Sequence, residues 1–165
     1  MIDFALTADA VAPQLLGCTL THAGVSIRLT EVEAYLGAED SAAHTFNGKT
    51  PRNAAMFGPP GRFYVYISYG IHRNVNIVCA PDGTGQGCLL RGGEIIEGAD
   101  IAFARRGTTD FHNLARGPGN LGKALGFTLE DNHQPIQIVE RTSEPEWVRG
   151  PRVGISKNKE AALRF

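Results

Sequence analysis

Residues 62–79, RFYVYISYGIHRNVNIVC, limit the possible fold of this chain more than any other segment. They contain two runs of β-branched and aromatic residues, a composition that favours strands. The runs flank Tyr69 and Gly70, and a short glycine-containing break between two such runs is typical of a β-hairpin. Because a hairpin pairs its strands antiparallel, the sheet that contains it is at least partly antiparallel.

Other elements are predicted on both sides of this hairpin. They are a helix over residues 7–16, strands over 18–22, 25–35 and 87–91, a short helix over 50–57 with Thr50 as its N-cap, a Gly/Pro loop and short helix over 115–127, and short strands near 134–140 and 149–156. The strands do not alternate regularly with helices. The sequence therefore predicts an α+β fold, with one domain over residues 1–165, a curved, mixed but mainly antiparallel sheet, peripheral helices and a protruding hairpin.

The composition narrows the class of protein. A chain of 165 residues with 42% hydrophobic and 20% charged residues is typical of one globular domain. The three cysteines are widely spaced, which favours buried reduced thiols over a disulfide framework or a metal site. No metal site is expected. The sequence has no apolar run that could span a membrane and no early Lys or Arg typical of a signal peptide, so we expect a cytoplasmic protein.

The charges are unevenly distributed along the chain. Residues 1–40 contain one arginine and six acidic residues, a charge of -5, so the remaining residues carry +4 of the total of -1. This asymmetry permits an anionic partner, although a mixed solvated surface explains it equally well.

The strand predicted over residues 25–35 contains two carboxylates and a tyrosine. Alternation predicts one shared face for five of its residues: Ile27, Leu29, Glu31, Glu33 and Tyr35. A carboxylate buried on a half-apolar face needs hydrogen bonds or a shifted pKa, and that environment suits a general base. Alternatively, the strand emerges into solvent after Leu29.

Further candidates lie on and after the hairpin. Tyr69 lies at its expected tip, where an exposed aromatic side chain could act as a contact or as a wedge between base pairs. Arg91 ends a predicted strand and is either a surface charge or a ligand for phosphate or carboxylate. With the paired tyrosines and asparagines of the hairpin strands, these are the residue types that an enzyme acting on a flipped-out base requires.

The segment from residue 30 to 78, which contains EAYLG, TPRN and YVYISYG, closely resembles the central block of the 3-methyladenine (alkyladenine) DNA glycosylase family. The segments GTGQGCLLR, GPGNLGKALG, RVGIS and LRF resemble its later blocks in order, so the resemblance covers nearly all of the chain after about Leu15. The chain departs from the family at Asn120, where a lysine is common.

This resemblance implies a role for each matching residue. Glu33 would activate water, and Arg91 would hold that water and a nearby phosphate. The base pocket would consist of Tyr35, His44, Tyr66 and Asn76, with Asn76 disfavouring guanine. Tyr69 would enter the minor groove and fill the space left by the flipped base. The other implied DNA contacts are Thr50, Arg52, Ile71 and His72.

The resemblance also implies the reaction and its partners. The implied reaction is the removal of alkylated or deaminated purines from double-stranded DNA by hydrolysis of the N-glycosidic bond, without a metal or cofactor. The enzyme would be a monomer that binds no membrane, nucleoid-associated in a bacterium or nuclear in a eukaryote. No lysine is expected beside these motifs, which argues against a Schiff base and strand cleavage. One alternative is a catalytically weak lesion-binding protein on the same fold. Another is a hydrolase of free nucleosides, which would have no use for the wedge at Tyr69.

Overall fold

The computed structural model describes residues 1–165 and contains the predicted hairpin at one edge of a six-stranded sheet. In chain order the elements are helix α1 (Ala8–Leu15), strands β1 (Thr19–His22), β2 (Val25–Tyr35), β3 (Phe63–Ser68), β4 (His72–Cys79) and β5 (Gln86–Glu97), helices α2 (Ala99–Arg106) and α3 (Pro118–Ala124), and strand β6 (Ile138–Val139). The strand order is β3-β4-β5-β2-β1-β6, and every neighbouring pair is antiparallel. The predicted α+β class is confirmed.

Several predicted elements differ from those observed. Strand β5 continues to Glu97, well beyond the predicted end at residue 91, and α2 was not predicted. The helix predicted over 50–57 is a turn followed by a short 3-10 helix, Ala54–Phe57. Asn53 explains this change, because its side chain accepts from the backbone N–H of Thr50 and donates to the carbonyl groups of His44 and Gly48. A short polar side chain that bonds the surrounding backbone in this way competes with a helix.

The two short strands predicted near the C-terminus are also reduced. Only Ile138 and Val139 pair with β1, and within residues 149–156 only Gly150 bridges a neighbour, Arg164. Pro151 has no N–H to donate, and the N–H of Val153 donates to a carboxylate instead of a strand. The segment therefore runs across the sheet as a loop.

The core-facing side of β2 changes part-way along the strand. Leu29 and Val32 are three residues apart, yet both are buried in the same hydrophobic core. Strict alternation would place them on opposite faces, and the pairing with β5 is irregular between these two residues. On β5, Leu90 and Ile95 show an equally odd spacing within that core. Both strands therefore exchange their inward and outward faces at this point.

This exchange corrects the predicted face of β2. Before the irregularity Ile27 and Leu29 point into the core, whereas after it Glu33 and Tyr35 lie on the opposite side from the core residues Val32 and Ala34. We call the two sides the core face and the pocket face of the sheet. Glu33 is therefore not on the same face as Ile27 and Leu29. The irregular pairing of β2 with β5 places it on the pocket face.

The helices cover the core face. Helix α1 packs on β2 and β5, and α3 packs on β4 and β5. Helix α3 approaches so closely at Gly122 that an added Cβ would lie 1.9 Å from the carbonyl oxygen of Arg73, so only glycine fits there. This contact holds the start of β4, next to the hairpin turn, against α3. None of the helices has the length and apolar character needed to cross a bilayer.

Candidate active site

A cavity of about 570 Å³ opens on the pocket face, within the usual size range of small-molecule and base-sized sites. One row of the sheet crosses four strands here, because Tyr64 pairs with Asn76, Asn76 with Leu89, and Leu89 with Glu33. The cavity is roofed by the loop after β2 and by residues 153–157. Four strands and two distant loops therefore contribute to one site.

Glu33 lies beneath this cavity with no exposed surface. Its Oε1 accepts a hydrogen bond from the Tyr35 hydroxyl at 2.9 Å, and its Oε2 accepts from the Val153 backbone N–H at 2.8 Å. The Arg91 guanidinium lies 3.6 Å from Oε1 and donates through Nε to Glu31 at 2.9 Å. The buried carboxylate is thus paired and hydrogen-bonded, as burial requires. The predicted association of Glu33, Tyr35 and Arg91 is present.

Aromatic rings form the walls of the cavity. The ring of His44 meets the ring of Tyr66 edge-on, with centroids 4.4 Å apart, and Tyr64 and Tyr66 lie 5.7 Å apart. Tyr35 also lines this space. The structure therefore brings together the three residues expected to enclose a base, and adds Tyr64 to them.

The ionisable groups of these walls are held in their neutral forms. Burial raises the pKa of Tyr35 far above its ordinary value, and the charge of Glu33 and the hydrogen bond to it raise it further. Burial likewise raises the pKa of Tyr64 to about 12 and raises that of Tyr66. Although His44 keeps an exposed edge, its partial burial lowers its pKa and the charge of Arg52 lowers it again. A flipped base would meet uncharged π surfaces at neutral pH.

Two asparagines of β4 line the cavity. Asn76, predicted at the pocket floor, is buried and donates to the Tyr64 carbonyl at 3.3 Å. Asn74 lies two residues earlier on the same face and donates to the Tyr66 hydroxyl at 3.1 Å, while its buried Oδ1 has no partner. Asn74 is not among the site residues predicted from the sequence, although its spacing from Asn76 places both on one face of β4.

The hairpin tip projects away from the sheet. Tyr69 is 90% exposed and Ile71 is 70% exposed, as expected for side chains that contact a partner. Tyr69 and Gly70 have φ angles of 51° and 71°, the positive values that a two-residue hairpin turn requires. This conformation is unfavourable for tyrosine, so the tip carries strain that glycine or asparagine would avoid.

The other predicted DNA contacts surround the cavity and the tip. Arg52 is exposed, lines the cavity and donates to the Ile67 carbonyl of β3 at 2.8 Å. Thr50 is exposed in the turn closed by Asn53, and His72 is exposed beside α3. Arg52 shares the lining of the cavity with Tyr69.

A lysine lies at the cavity, contrary to expectation. Lys157 is among the lining residues, is exposed, and makes no ion pair. No short sequence motif predicted Lys157 as a site residue, because it lies in a distant loop, the same one that contains Val153.

A second concave surface, here called the basic groove, begins beside the hairpin tip. It contains no acidic residue and is lined by His72 and by four cationic side chains, those of Arg73, Arg105, Arg106 and Lys123. Arg73 and Lys123 are exposed. The near-neutral net charge of the chain therefore hides a locally positive surface next to the hairpin.

The three cysteines do not line the cavity. Cys18, Cys79 and Cys88 are buried free thiols, and burial raises the pKa of Cys18 and Cys88. No three His, Cys, Asp or Glu side chains lie close enough together to hold a metal ion.

Comparison with known families agrees with this geometry. Residues 2–165 match the family described as methylpurine-DNA glycosylase. The chain belongs to the methylpurine-DNA glycosylase family. Among its relatives, a Corynebacterium efficiens protein is 68% identical, with 99% of this chain and 89% of that protein covered. A Cutibacterium acnes protein is 50% identical over 100% of this chain and 93% of its own length. Both carry 3-methyladenine DNA glycosylase as a provisional name, and the resemblance seen in the sequence is confirmed at the level of the family.

Proposed function

We propose that this member of the methylpurine-DNA glycosylase family is a monofunctional base-excision repair enzyme. It would remove alkylated or deaminated purines from double-stranded DNA, leaving an abasic site. The observation that carries the proposal is the buried Glu33 carboxylate beneath a cavity walled by neutral aromatic rings. The names of the relatives support 3-methyladenine as one substrate, and hypoxanthine and ethenoadenine are further candidates.

Glu33 would act as the general base. The water oxygen forms a bond to C1′ of the sugar, the bond from C1′ to the base nitrogen breaks, and one water proton passes to Glu33. The leaving base takes the bonding electron pair. As the bond breaks, the sugar acquires positive charge, which the carboxylate stabilises.

Arg91 would orient the carboxylate and the water. Its Nε is occupied by Glu31, while Nη1 faces Glu33 at 3.6 Å. This arrangement leaves part of the guanidinium free to contact the water or the phosphate of the flipped nucleotide.

Tyr69 would serve as the wedge that replaces the flipped base. Its exposure and its strained backbone support this role, because strain of this kind is retained where function requires it. Arg52, Thr50, Ile71 and His72 would contact the DNA around the lesion, and the basic groove would follow the phosphate backbone. Tyr35, His44 and Tyr66 would stack on the base, with Asn76 excluding guanine. We expect a monomer without a cofactor.

The proposed reaction does not use Lys157 as a nucleophile. Water activated by Glu33 would attack C1′, so no Schiff base forms and the DNA strand stays intact. Reduction with borohydride during the reaction checks this, because a covalent protein–DNA product that disappears in Lys157→Ala would establish strand-cleaving chemistry instead.

The test of the proposed function uses duplexes that contain one hypoxanthine or one ethenoadenine, together with methylated genomic DNA. Excess protein is mixed with each substrate, and abasic sites are revealed with hot alkali. Wild-type protein should release base from at least one substrate, and Glu33→Gln should lower the rate by at least about 10²-fold, the usual contribution of a general base. Glu94→Gln, which changes an exposed carboxylate on β5, should retain the wild-type rate.

Two results would contradict the proposal. Excision by Glu33→Gln at the wild-type rate would remove Glu33 from the mechanism. Binding of lesion-containing duplexes with no base release from any of the three substrates would indicate a lesion-binding protein on this fold.

A further inference from the structure

A fully buried ion pair lies behind the cavity without lining it. Arg152 donates from Nη1 to Asp40 Oδ2 at 2.6 Å and from Nη2 to Oδ1 at 2.9 Å, and neither side chain has exposed surface. Asp40 also accepts from the backbone N–H groups of Leu36 and Ala42 and from the side chain of Asn158. The pair therefore fastens the C-terminal loop to the loop that follows β2.

Arg152 contacts the backbone between the two site residues of β2. Its Nη1 also donates to the carbonyl of Ala34 at 3.0 Å, and its guanidinium lies over the ring of Tyr35, 4.6 Å from the centroid. The next residue, Val153, provides the N–H that binds Glu33 at 2.8 Å. One arginine thus touches Tyr35 directly and determines where a hydrogen-bond donor to Glu33 lies.

A contribution to stability does not by itself explain the ion pair between Arg152 and Asp40. Taking two charges out of water offsets most of their attraction, and apolar replacements of similar volume are often as stable. Arg152 also leaves its buried Nε without a partner, and an unpaired buried donor is unfavourable. A pair with these costs is better explained by the geometry that it imposes.

We infer that Asp40 and Arg152 are positioning residues for the base-excision reaction. They fix the carboxylate of Glu33 through Val153 and the ring of Tyr35 through stacking, and neither lines the cavity where a base would bind. The inference rests on the proposed function for its kinetic consequence, whereas its structural consequence is independent of any activity. Loosening the pair should therefore slow bond cleavage while leaving DNA binding intact.

The kinetic test uses Arg152→Lys and the double variant Asp40→Leu with Arg152→Met. Lysine keeps the charge but loses the two-pronged contact and the planar stacking, and the double variant removes both charges together and so leaves no unpaired one. Each should lower the single-turnover excision rate about 10- to 100-fold, the effect of a small misplacement of catalytic groups. Affinity for a duplex containing an abasic-site analogue should change less than about threefold.

The matched control is Arg141→Met. Arg141 also makes two hydrogen bonds to carbonyl groups, those of Pro13 and Leu16, but it lies away from the cavity. This variant should lose thermal stability and keep the wild-type excision rate per folded molecule. A similar rate loss in Arg141→Met would show that the effect of Arg152 is general destabilisation and would overturn the inference.

The second readout is amide hydrogen exchange at Val153, measured by NMR. In wild-type protein its N–H is bonded to a buried carboxylate and should exchange slowly, whereas in the folded double variant it should exchange at least about tenfold faster. Unchanged exchange in that variant would overturn the inference, even if the wild-type protein released no base. Folded variants that excise at the wild-type rate would also overturn it. Absence of base release by wild-type protein, with faster exchange in the double variant, would refute the proposed function alone.

Discussion

The core face and the pocket face of this sheet share the same strands but differ in composition and in what covers them. The core face presents residues such as Val32 and Leu90 to helices α1 and α3. The pocket face presents Tyr64 and Asn76 to a cavity covered by loops, with Glu33 buried beneath them. Adjacent residues of one strand therefore have different surroundings, a packed apolar core on one face and a polar cavity on the other.

The two faces differ in how their buried side chains are stabilised. On the core face, apolar side chains are buried and need no partners. On the pocket face, the buried polar groups need specific hydrogen bonds, and most have them: Glu33 has Tyr35 and Val153, and Asp40 has Arg152. The exceptions, Asn74 Oδ1 and Arg152 Nε, both belong to the pocket side. Both buried polar atoms without a partner therefore lie on the side of the sheet where we propose the active site.

The largest expected change in the free energy of unfolding distinguishes two neighbouring residues of β2, Val32 and Glu33. Val32→Glu would bury an unpaired carboxylate on the core face and should lower the free energy of unfolding by at least about 4 kcal/mol, enough to leave little folded protein. Glu33→Gln should change it by no more than about 2 kcal/mol while abolishing excision. Urea unfolding followed by circular dichroism measures both, and a stable Val32→Glu variant would mean that the two faces have been assigned incorrectly.

The next effect concerns the pH dependence of stability. Burial alone would raise the pKa of Asp40, but the hydrogen bonds from Arg152, Leu36 and Asn158 lower it from 3.8 to about 2. The folded-state pKa lies below the unfolded one, so this contribution is fully present above about pH 4 and is lost between about pH 4 and pH 2. Its size is roughly 2 kcal/mol.

Urea unfolding at pH 6 and at pH 3 tests this contribution. The double variant Asp40→Leu with Arg152→Met should lose less stability between these pH values than the wild-type protein. An equal loss in both proteins would show that other carboxylates dominate the acid sensitivity.

A smaller effect of opposite sign is expected at the hairpin tip. Tyr69→Gly removes an unfavourable positive φ and should raise the free energy of unfolding by about 1 kcal/mol. The same change should weaken binding to a lesion-containing duplex roughly tenfold, because an aromatic ring that stacks on DNA contributes about 1–3 kcal/mol. Tyr69→Phe, which keeps the ring, should bind as wild type. A destabilised Tyr69→Gly variant would show that the tip is not strained.

The smallest effect concerns the basic groove, which belongs to neither face. Lys123→Ala and Arg73→Ala should each reduce the slope of log affinity against log salt by about one, as for the loss of one phosphate contact. Arg28→Ala, which removes an exposed arginine paired with Glu94, is the control and should leave the slope unchanged. Fluorescence anisotropy between 50 and 200 mM salt, the range over which phosphate contacts alter affinity strongly, measures these slopes. Equal slopes in all variants would show that the DNA backbone does not follow the basic groove.

The local features of this protein are predictable from its sequence alone. The hairpin at Tyr69 and Gly70 and the antiparallel strands follow from short segments, because turn residues and strand propensities act between neighbours in the chain. The family resemblance likewise rests on short sequence motifs. The association of Glu33 with Tyr35 was predictable for the same reason, since residues two apart on a strand share a face on either side of the sheet.

The face of the sheet on which Glu33 and Tyr35 lie, and the groups that surround them, depend on the tertiary structure. The irregular pairing of β2 with β5 depends on both strands at once, so strict alternation from Leu29 gave the wrong face. Arg152 and Lys157 reach the site from more than 100 residues away, through a loop that pairs its polar groups with β2 instead of forming a strand. Burial made these contacts necessary, because a carboxylate removed from water must find its donors wherever the folded chain brings them.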